Sequence, residues 1–276
     1  MKKWQVAGLS SLLILTLSAC SLNLASSGDG GTVFDQGNSP LTASEVIAKS
    51  VEAFEQVDSY TVKSEVQQAL TMNTDGEVHT MTSEITTHAD WIREPVRMHI
   101  ISEVRTEVML LQTIEQYYTT DEGHYSNMDG SWVKMPEREV TVETFESMPE
   151  SPEALIGMMA ELENEVILTE EKGSYVLSIV LPESALTQMS EGLTSSREGS
   201  QEKQPSLPQI IINSMKVNFE VSKDTYTILK MTIEQDSETG NDENAISQTK
   251  VETNSYSNFN GIESIEVPRE VIEGAR

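Results

Sequence analysis

Cysteine and basic residues are scarce in this sequence, and each scarcity excludes a class of protein. Cys20 is the only cysteine among 276 residues, so the chain cannot close an internal disulfide and its stability must come from a packed core. The 18 Lys and Arg residues face 45 Asp and Glu residues, which gives a formal net charge of −27. Such a surface repels phosphate backbones, so the composition excludes nucleic acid as a partner.

Catalytic and metal-binding motifs are also missing from the sequence. It has no Gly-x-Ser-x-Gly nucleophile elbow, no phosphate-binding loop and no dinucleotide-binding fingerprint. His79, His88, His99 and His124 have no partner at the spacing that builds a metal face on a helix. The acidic segment that starts at Asp236 places its glycine one position too early for a calcium-binding loop. We therefore expect no catalytic residues, no metal ligands, no cofactor and no enzymatic activity.

The amino terminus has the layout of a secretory signal. Lys2 and Lys3 precede a short apolar run, and small residues follow the run up to Cys20. The run is too short to span a bilayer as a stable helix. The residues from Leu17 to Cys20, LSAC, resemble the lipobox of bacterial lipoproteins, in which the cysteine thiol is joined to diacylglycerol.

The lipobox resemblance implies that residues 1–19 are a signal peptide and that cleavage falls between Ala19 and Cys20. Cys20 is then the lipid attachment site, and its two acyl chains hold the protein at the extracytoplasmic face of the bacterial cell membrane. The alternative is an unmodified thiol beside an ordinary cleavage site. Residues 20–40 comprise this cysteine and a tether rich in Ser, Gly and Asn, which spans about 25 Å as a flexible coil.

Apolar periodicity predicts a single domain over residues 41–276. A period of 3.6 residues predicts a helix over 42–57, and alternation with a period of two begins at Ser59. Turn residues such as Glu94 and Pro95 then separate a run of strand candidates. After the strand that starts at Ser59, the predicted strands of the first half are 78–91, 96–104, 106–120 and 124–134.

The second half alternates between helices and strands. Helical spacing predicts helices over 151–163 and 182–193, and the polar composition of the segment 194–208 that follows predicts that this segment is mobile. Strands are predicted over 164–170 and 174–181, and the segments 215–221 and 227–234 predict a hairpin. Residues 245–259 are polar on both faces, which predicts an edge strand or a water-facing strand. The amphipathic tail that contains Val267 and Val271 is expected to close one end of the fold.

This element order predicts an α+β fold built on an extended antiparallel sheet. The order of elements, the aromatic and Val-Pro strand ends and the lipobox with its tether resemble bacterial lipoproteins with LolA-like or LppX/LprG-like domains. The resemblance extends to uncharacterised lipoproteins of Gram-positive bacteria. It implies a strongly curved antiparallel sheet, an incomplete barrel, with helices packed on its concave face.

The resemblance also implies a binding function, because the space between sheet and helices holds lipid acyl chains in that group. Under this resemblance the mobile segment 194–208 is expected to be a lid. Methionines on the predicted helices supply a soft apolar surface for such a ligand. The candidate contacts are Met158, Met159, Leu162, Leu186 and Met189. We therefore expect a membrane-anchored binding module for an apolar or lipid ligand. The alternative is an envelope scaffold, adhesin or sensor-type interaction protein with a filled core and no small-molecule ligand.

Overall fold

An antiparallel sheet of eleven strands organises the part of the chain that the structure describes. The computed structural model describes residues 40–74, 77–107, 111–128, 130–136, 151–198, 210–240 and 245–276. The strands are β1 (Ser59–Thr74), β2 (Glu77–Ile92), β3 (Arg97–Thr106), β4 (Gln112–Thr119), β5 (Gly123–Met128), β6 (Ser131–Lys134), β7 (Ile167–Glu170), β8 (Ser174–Val180), β9 (Ile210–Ser222), β10 (Ile228–Thr239) and β11 (Ile246–Ser257). The helices are α1 (Ala43–Glu55), α2 (Pro152–Glu161), α3 (Glu183–Glu198) and α4 (Arg269–Gly274), and a short 3-10 helix covers Glu163–Glu165.

The strand order places the first and last strands side by side at the centre of the sheet. It reads β6-β5-β4-β3-β2-β1-β11-β10-β9-β8-β7, and every neighbouring pair is antiparallel. Each half of the chain forms a meander, and the β1–β11 ladder joins the two meanders. The two outermost strands, β6 and β7, lie at opposite edges, so the sheet is open. The large antiparallel sheet with few helices is therefore confirmed.

Helix α1 shows how local sequence starts an element. The Thr42 side chain accepts a hydrogen bond from the Glu45 backbone, and the Glu45 carboxylate accepts one from the Thr42 backbone at 2.8 Å. This reciprocal capping box satisfies two of the free N–H groups at the helix start. Val46, Ile47 and Phe54 then fall on one face and are at most 2% exposed. The prediction of this helix is confirmed.

Helices α1, α2 and α3 share one apolar core with the half of the sheet formed by β8, β9 and β10. Leu177, Phe219 and Met231 lie opposite one another on these three strands and are at most 1% exposed. The other half of the same sheet face is less covered. Val66, Ile85 and Val104 form the equivalent row on β1, β2 and β3, and all three are only half-buried.

Two predicted strands of the first half of the chain were wrong in extent. The segment 106–120 is not one strand, because β3 ends at Thr106 and β4 begins at Gln112. No Gly, Pro, Asn or Asp occurs between Arg105 and Gln112, so no typical strand-breaking residue indicated that β3 and β4 are separate strands. Segment 124–134 divides into β5 and β6 at Gly130, whose φ of +80° suits a glycine turn.

The prediction that 245–259 forms an edge strand is also wrong. Strand β11 lies between β1 and β10, near the middle of the sheet. Its polar residues on the helix side bind one another: Lys250 Nζ lies 3.3 Å from Glu252 Oε2, and Asn254 Nδ2 donates to Glu252 Oε1 at 2.8 Å. Paired polar groups can occupy a central strand because their hydrogen bonds are satisfied there.

Helix α3 and the carboxyl-terminal tail refine two further predictions. Helix α3 continues to Glu198, beyond the predicted end at residue 193. The remainder of the predicted lid, residues 199–208, lies outside the described residues. The tail closes the β6 side of the sheet, since Val267 and Val271 pack with Tyr125 and the Arg276 backbone bonds to Trp132.

The half-buried Tyr117 and the buried Tyr256 make the fold sensitive to alkaline pH. Burial, reinforced by the Glu115 carboxylate, raises the pKa of Tyr117 to about 12. Burial, with Tyr60 beside it, raises the pKa of Tyr256 well above its ordinary value of about 10. Because both folded-state values exceed the unfolded value, the stability due to the neutral phenols is complete below about pH 10 and is lost as the pH rises through the folded values.

We therefore expect the free energy of unfolding to fall between about pH 10 and about pH 12. Urea unfolding at pH values across this range measures the loss, and ultraviolet titration of the folded protein follows phenolate formation directly. Tyr117→Phe is expected to retain more of its stability at about pH 11 than the unmodified chain. Simultaneous titration of all seven tyrosines near pH 10 in the folded protein would contradict this expectation.

Candidate functional site

Helices α2 and α3 leave an apolar cleft between them. Ala154, Gly157 and Met158 line the cleft from α2, and Ala185 and Met189 line it from α3. Residues spaced by three or four positions share one helix face, which explains why these side chains meet. The cleft has a volume of about 380 Å³, within the range typical of small-molecule sites. It can therefore accept part of an apolar ligand.

Small residues create the space in this cleft. Gly157 has no side chain, and a Cβ built at its position would meet no atom within 4 Å. Ala154 and Ala185 contribute only methyl groups. Met158 is half-buried and Met189 is 7% exposed, so their thioether chains form the deeper wall. Methionine side chains are flexible and polarizable, which lets this wall adapt to ligands of different shape.

Polar residues form the rim of the cleft. Glu153, Glu161 and Gln188 complete its lining. The Glu153 carboxylate is paired with the Arg93 guanidinium, and these side chains are only 23% and 18% exposed. Arg93 also lies 5.0 Å above the Phe54 ring, so this residue connects α2 to α1 and to the end of β2. The acidic rim favours an uncharged ligand over an anionic one.

The structure brings together two of the five predicted ligand contacts. Met158 and Met189 both line the cleft between α2 and α3. Met159 is 1% exposed and belongs to the core, and Leu162 packs against that core at the end of α2. Leu186 lines a second groove, of about 660 Å³, on the other side of α3 against the start of β9.

Sequence reasoning missed the small residues of the cleft. Ala154, Gly157 and Ala185 carry no chemistry of their own, and they matter only because two helices meet at these positions. A glycine inside a helix costs about 1 kcal/mol relative to alanine, so Gly157 was the one available signal. Among the described residues beneath the helices, Met215, Phe219 and Met231 are at most 1% exposed.

A different groove lies on the sheet face that points away from the helices. Lys216, Glu234 and Val251 occupy one row across β9, β10 and β11, and they alternate along the strands with the core residues. The groove has a volume of about 950 Å³. Lys216 Nζ lies 3.3 Å from Glu234 Oε1, and Arg105 and Glu84 extend the charged lining. Its paired charges suit water or a polar partner better than an apolar ligand.

The histidines occupy separate places in the sheet. His79 and His88 are exposed on β2, and His124 lies on β5 beside Gln116. His99 stacks on Tyr117 with 4.2 Å between ring centroids, and its Nε2 lies 2.9 Å from Glu115 Oε1. In the described ranges, no group of three or more His, Cys, Asp or Glu side chains could hold a metal ion. Nor does any helix in these ranges have the length and apolarity needed to cross a membrane.

Solved structures share parts of this architecture at low similarity. A DUF1329 family protein from Desulfovibrio piger is 10% identical, with a TM-score of 0.24 over 83% of this chain and 95% of that chain. A LolA superfamily protein from Nitrosomonas europaea is 11% identical, with a TM-score of 0.18 over 84% of this chain and 98% of that chain. These values are too low to support a conclusion about function.

Comparison by sequence identifies one family. No curated protein matches the chain significantly. A family of unknown function, DUF6612, matches residues 42–276, which include every helix and strand described above and the cleft between α2 and α3. The chain therefore belongs to the DUF6612 family.

Proposed function

We propose that this protein is an extracytoplasmic lipoprotein of the Gram-positive type whose domain, residues 41–276, binds an apolar or lipid ligand without catalysing a reaction. The observation that carries the proposal is the cleft between α2 and α3, which has apolar walls and space for a ligand segment. The lipobox-like sequence LSAC supports lipid attachment at Cys20 after cleavage of residues 1–19. Attachment at Cys20 holds the domain at the extracytoplasmic face of the cell membrane.

The lining of the cleft defines the ligand that fits. An apolar chain gains free energy when it displaces water from the methyl groups of Ala154 and Ala185 and from the thioethers of Met158 and Met189. Glu161 at the rim is exposed, and it disfavours an anionic group at that end of the cleft. The ligand is therefore an uncharged apolar molecule, or a lipid that inserts an apolar segment.

One observation favours a second function, that of an envelope scaffold, adhesin or sensor-type interaction protein. The core between the helices and β8–β10 is filled, with Phe219, Val221 and Ile228 at 0% exposure. A filled core is what a protein needs when it presents a rigid surface to other proteins. Under this reading the cleft is only a gap between two helices, and the domain binds no small molecule.

Filling the cleft with a side chain tests the binding function. We expect Gly157→Leu to reduce the affinity for the neutral dye N-phenylnaphthylamine by at least about ten-fold, because the new side chain occupies the space between Met158 and Met189. The same change should raise the unfolding midpoint, since leucine is favoured over glycine in a helix by about 0.8 kcal/mol. Dye fluorescence is measured on the full chain carrying Cys20→Ser.

Gly157→Ala provides the matched control for this experiment. Alanine also improves helix propensity, but its single methyl group meets no atom within 4 Å and leaves most of the cleft open. Gly157→Ala should therefore bind the dye as the parent chain does. Equal dye affinity in Gly157→Leu would contradict binding in this cleft. Absence of dye binding by the parent chain would favour the scaffold function.

A further inference from the structure

A polar row crosses the helix side of the sheet beside the apolar core. Gln235 on β10 lies opposite Lys250 on β11, and Lys250 lies opposite Gln68 on β1. The row continues to Ser83 and Thr106 on β2 and β3. Side chains of directly opposed residues point to the same face of a sheet, so this row lies on the face that carries the core.

Several side chains in and beside this row bind one another, whereas Gln235 does not bind a described residue through its side-chain oxygen. Lys250 Nζ lies 3.3 Å from Glu252 Oε2, and these side chains are only 11% and 17% exposed. Gln248 Nε2 donates to Gln68 Oε1 at 3.1 Å. Gln235 is 8% exposed, yet its Oε1 has no hydrogen-bond partner among the described residues. Leaving a buried acceptor unpaired is costly, so an oxygen in this position calls for a donor.

The chemistry of the row restricts that donor to an uncharged group. Lys250 and Glu252 neutralise each other, and the other members of the row are amides and hydroxyls. An anionic group would need an additional cation, and a cationic group would meet the Lys250 ammonium. Hydroxyl groups both donate and accept, so they match a row of Gln, Ser and Thr side chains. The row thus has the composition of a site for hydroxyl-bearing, uncharged molecules.

We infer that this row is a binding site for an uncharged polyol group, in which a ligand hydroxyl donates to Gln235 Oε1. Gln68 and Ser83, on the β1–β2 side of the row, are only half-buried, so a ligand would approach the row from that side. An apolar row that contains Val66 and Ile85 runs beside it, so a polyol carrying an alkyl chain finds apolar surface next to the polar site. This site involves none of the residues that line the cleft between α2 and α3, and it goes beyond the proposed function.

Two glucosides test whether the ligand is a free polyol or a polyol that carries an alkyl chain. Calorimetric titration of the full chain carrying Cys20→Ser uses methyl β-glucoside as a free polyol and octyl β-glucoside, below its micellar concentration, as an alkyl-bearing one. We expect Gln235→Met, which keeps the shape of the side chain but removes the acceptor, to lower the glucoside affinity by about ten-fold. Thr86→Val, which removes a hydroxyl group from the exposed opposite face of β2, is the control and should bind like the parent chain.

Stability gives a second readout that does not depend on ligand binding. Gln235→Met should raise the unfolding midpoint in the absence of glucoside, because it removes an unpaired buried acceptor. A lowered midpoint would show that Oε1 is already bonded within the folded chain, and it would overturn the inference. So would failure of both glucosides to bind the parent chain, or equal affinity in Gln235→Met.

The outcomes also separate this site from the cleft. If the parent chain binds both glucosides and Gln235→Met loses this binding, the ligand of the row is a free polyol. If the parent chain binds only octyl β-glucoside and Gln235→Met loses this binding, the ligand is the head group of an amphiphile. If Gly157→Leu abolishes binding and Gln235→Met does not, the inference about the row is wrong and the proposed cleft function stands. If Gln235→Met abolishes binding and Gly157→Leu does not, the row is the site whether or not the cleft binds a ligand.

Discussion

Replacing Phe219 with alanine is expected to destabilise the domain by about 3–5 kcal/mol, a large share of the stability of an ordinary domain. Phe219 is 0% exposed, and on β9 it lies between Leu177 on β8 and Met231 on β10. Removing the ring deletes its contacts and leaves a cavity that neighbouring strands cannot close, because the sheet ladders fix their spacing. Urea unfolding followed by circular dichroism measures the loss.

Val251→Thr is the matched control for the Phe219 change. Val251 also lies within a central strand, but its side chain is 45% exposed on the opposite face of the sheet. Threonine keeps the branched Cβ that strands favour, so the free energy of unfolding should change by no more than about 0.5 kcal/mol. If Phe219→Ala unfolded at the same urea concentration as Val251→Thr, the core described for the helix side of β9 would be incorrect.

The same alternation explains why much of the sheet could be predicted. Val217, Phe219 and Val221 alternate with polar residues, and a period of two indicates a strand with one buried face. Helix α1 was predictable for a similar reason, since Thr42 and Glu45 form a recognisable start signal. In both cases a local pattern and the global core specify the same structure. Such agreement makes an element readable from the sequence.

The strand order could not be predicted, because it depends on a pairing between distant segments. The β1–β11 ladder joins residues such as Thr61 and Ser257, which are far apart in the chain. Polar residues on both faces of β11 indicated an edge strand, but Lys250, Glu252 and Asn254 satisfy one another inside the sheet. A sequence pattern reports polarity, whereas the partner that satisfies a polar group becomes visible only in the fold.

The candidate site was predictable only in part for a related reason. Helical spacing placed Met158 and Met189 on apolar faces, and both line the cleft between α2 and α3. Spacing cannot show whether an apolar residue faces the core or faces a neighbouring helix across a gap. This is the difference between Met159, which lies in the core, and Met158, which lines the cleft. The gap itself depends on Gly157, a residue whose contribution is an absent side chain.

Changing Cys20 to serine is expected to release the protein from the membrane without altering the stability of the folded domain. A thioether to diacylglycerol supplies two acyl chains, and two chains give stable anchoring where a single chain is marginal. Serine has no thiol to form this bond, so the variant should move from the membrane fraction to the soluble or secreted fraction. Its urea unfolding midpoint should be that of the parent domain, because residues 41–276 form a compact unit that excludes Cys20.

Ser21→Ala provides the control for the Cys20 change, because it alters the neighbouring residue and leaves the thiol in place. This variant should remain in the membrane fraction, and intact mass spectrometry should show the added mass of the lipid on it but not on Cys20→Ser. Tight membrane association of Cys20→Ser after a high-salt wash would contradict lipid attachment at this residue. Salt removes proteins held by charge alone, and a surface with a net charge of −27 has little attraction for anionic head groups. Release by this one substitution would therefore identify the lipid on Cys20 as the anchor.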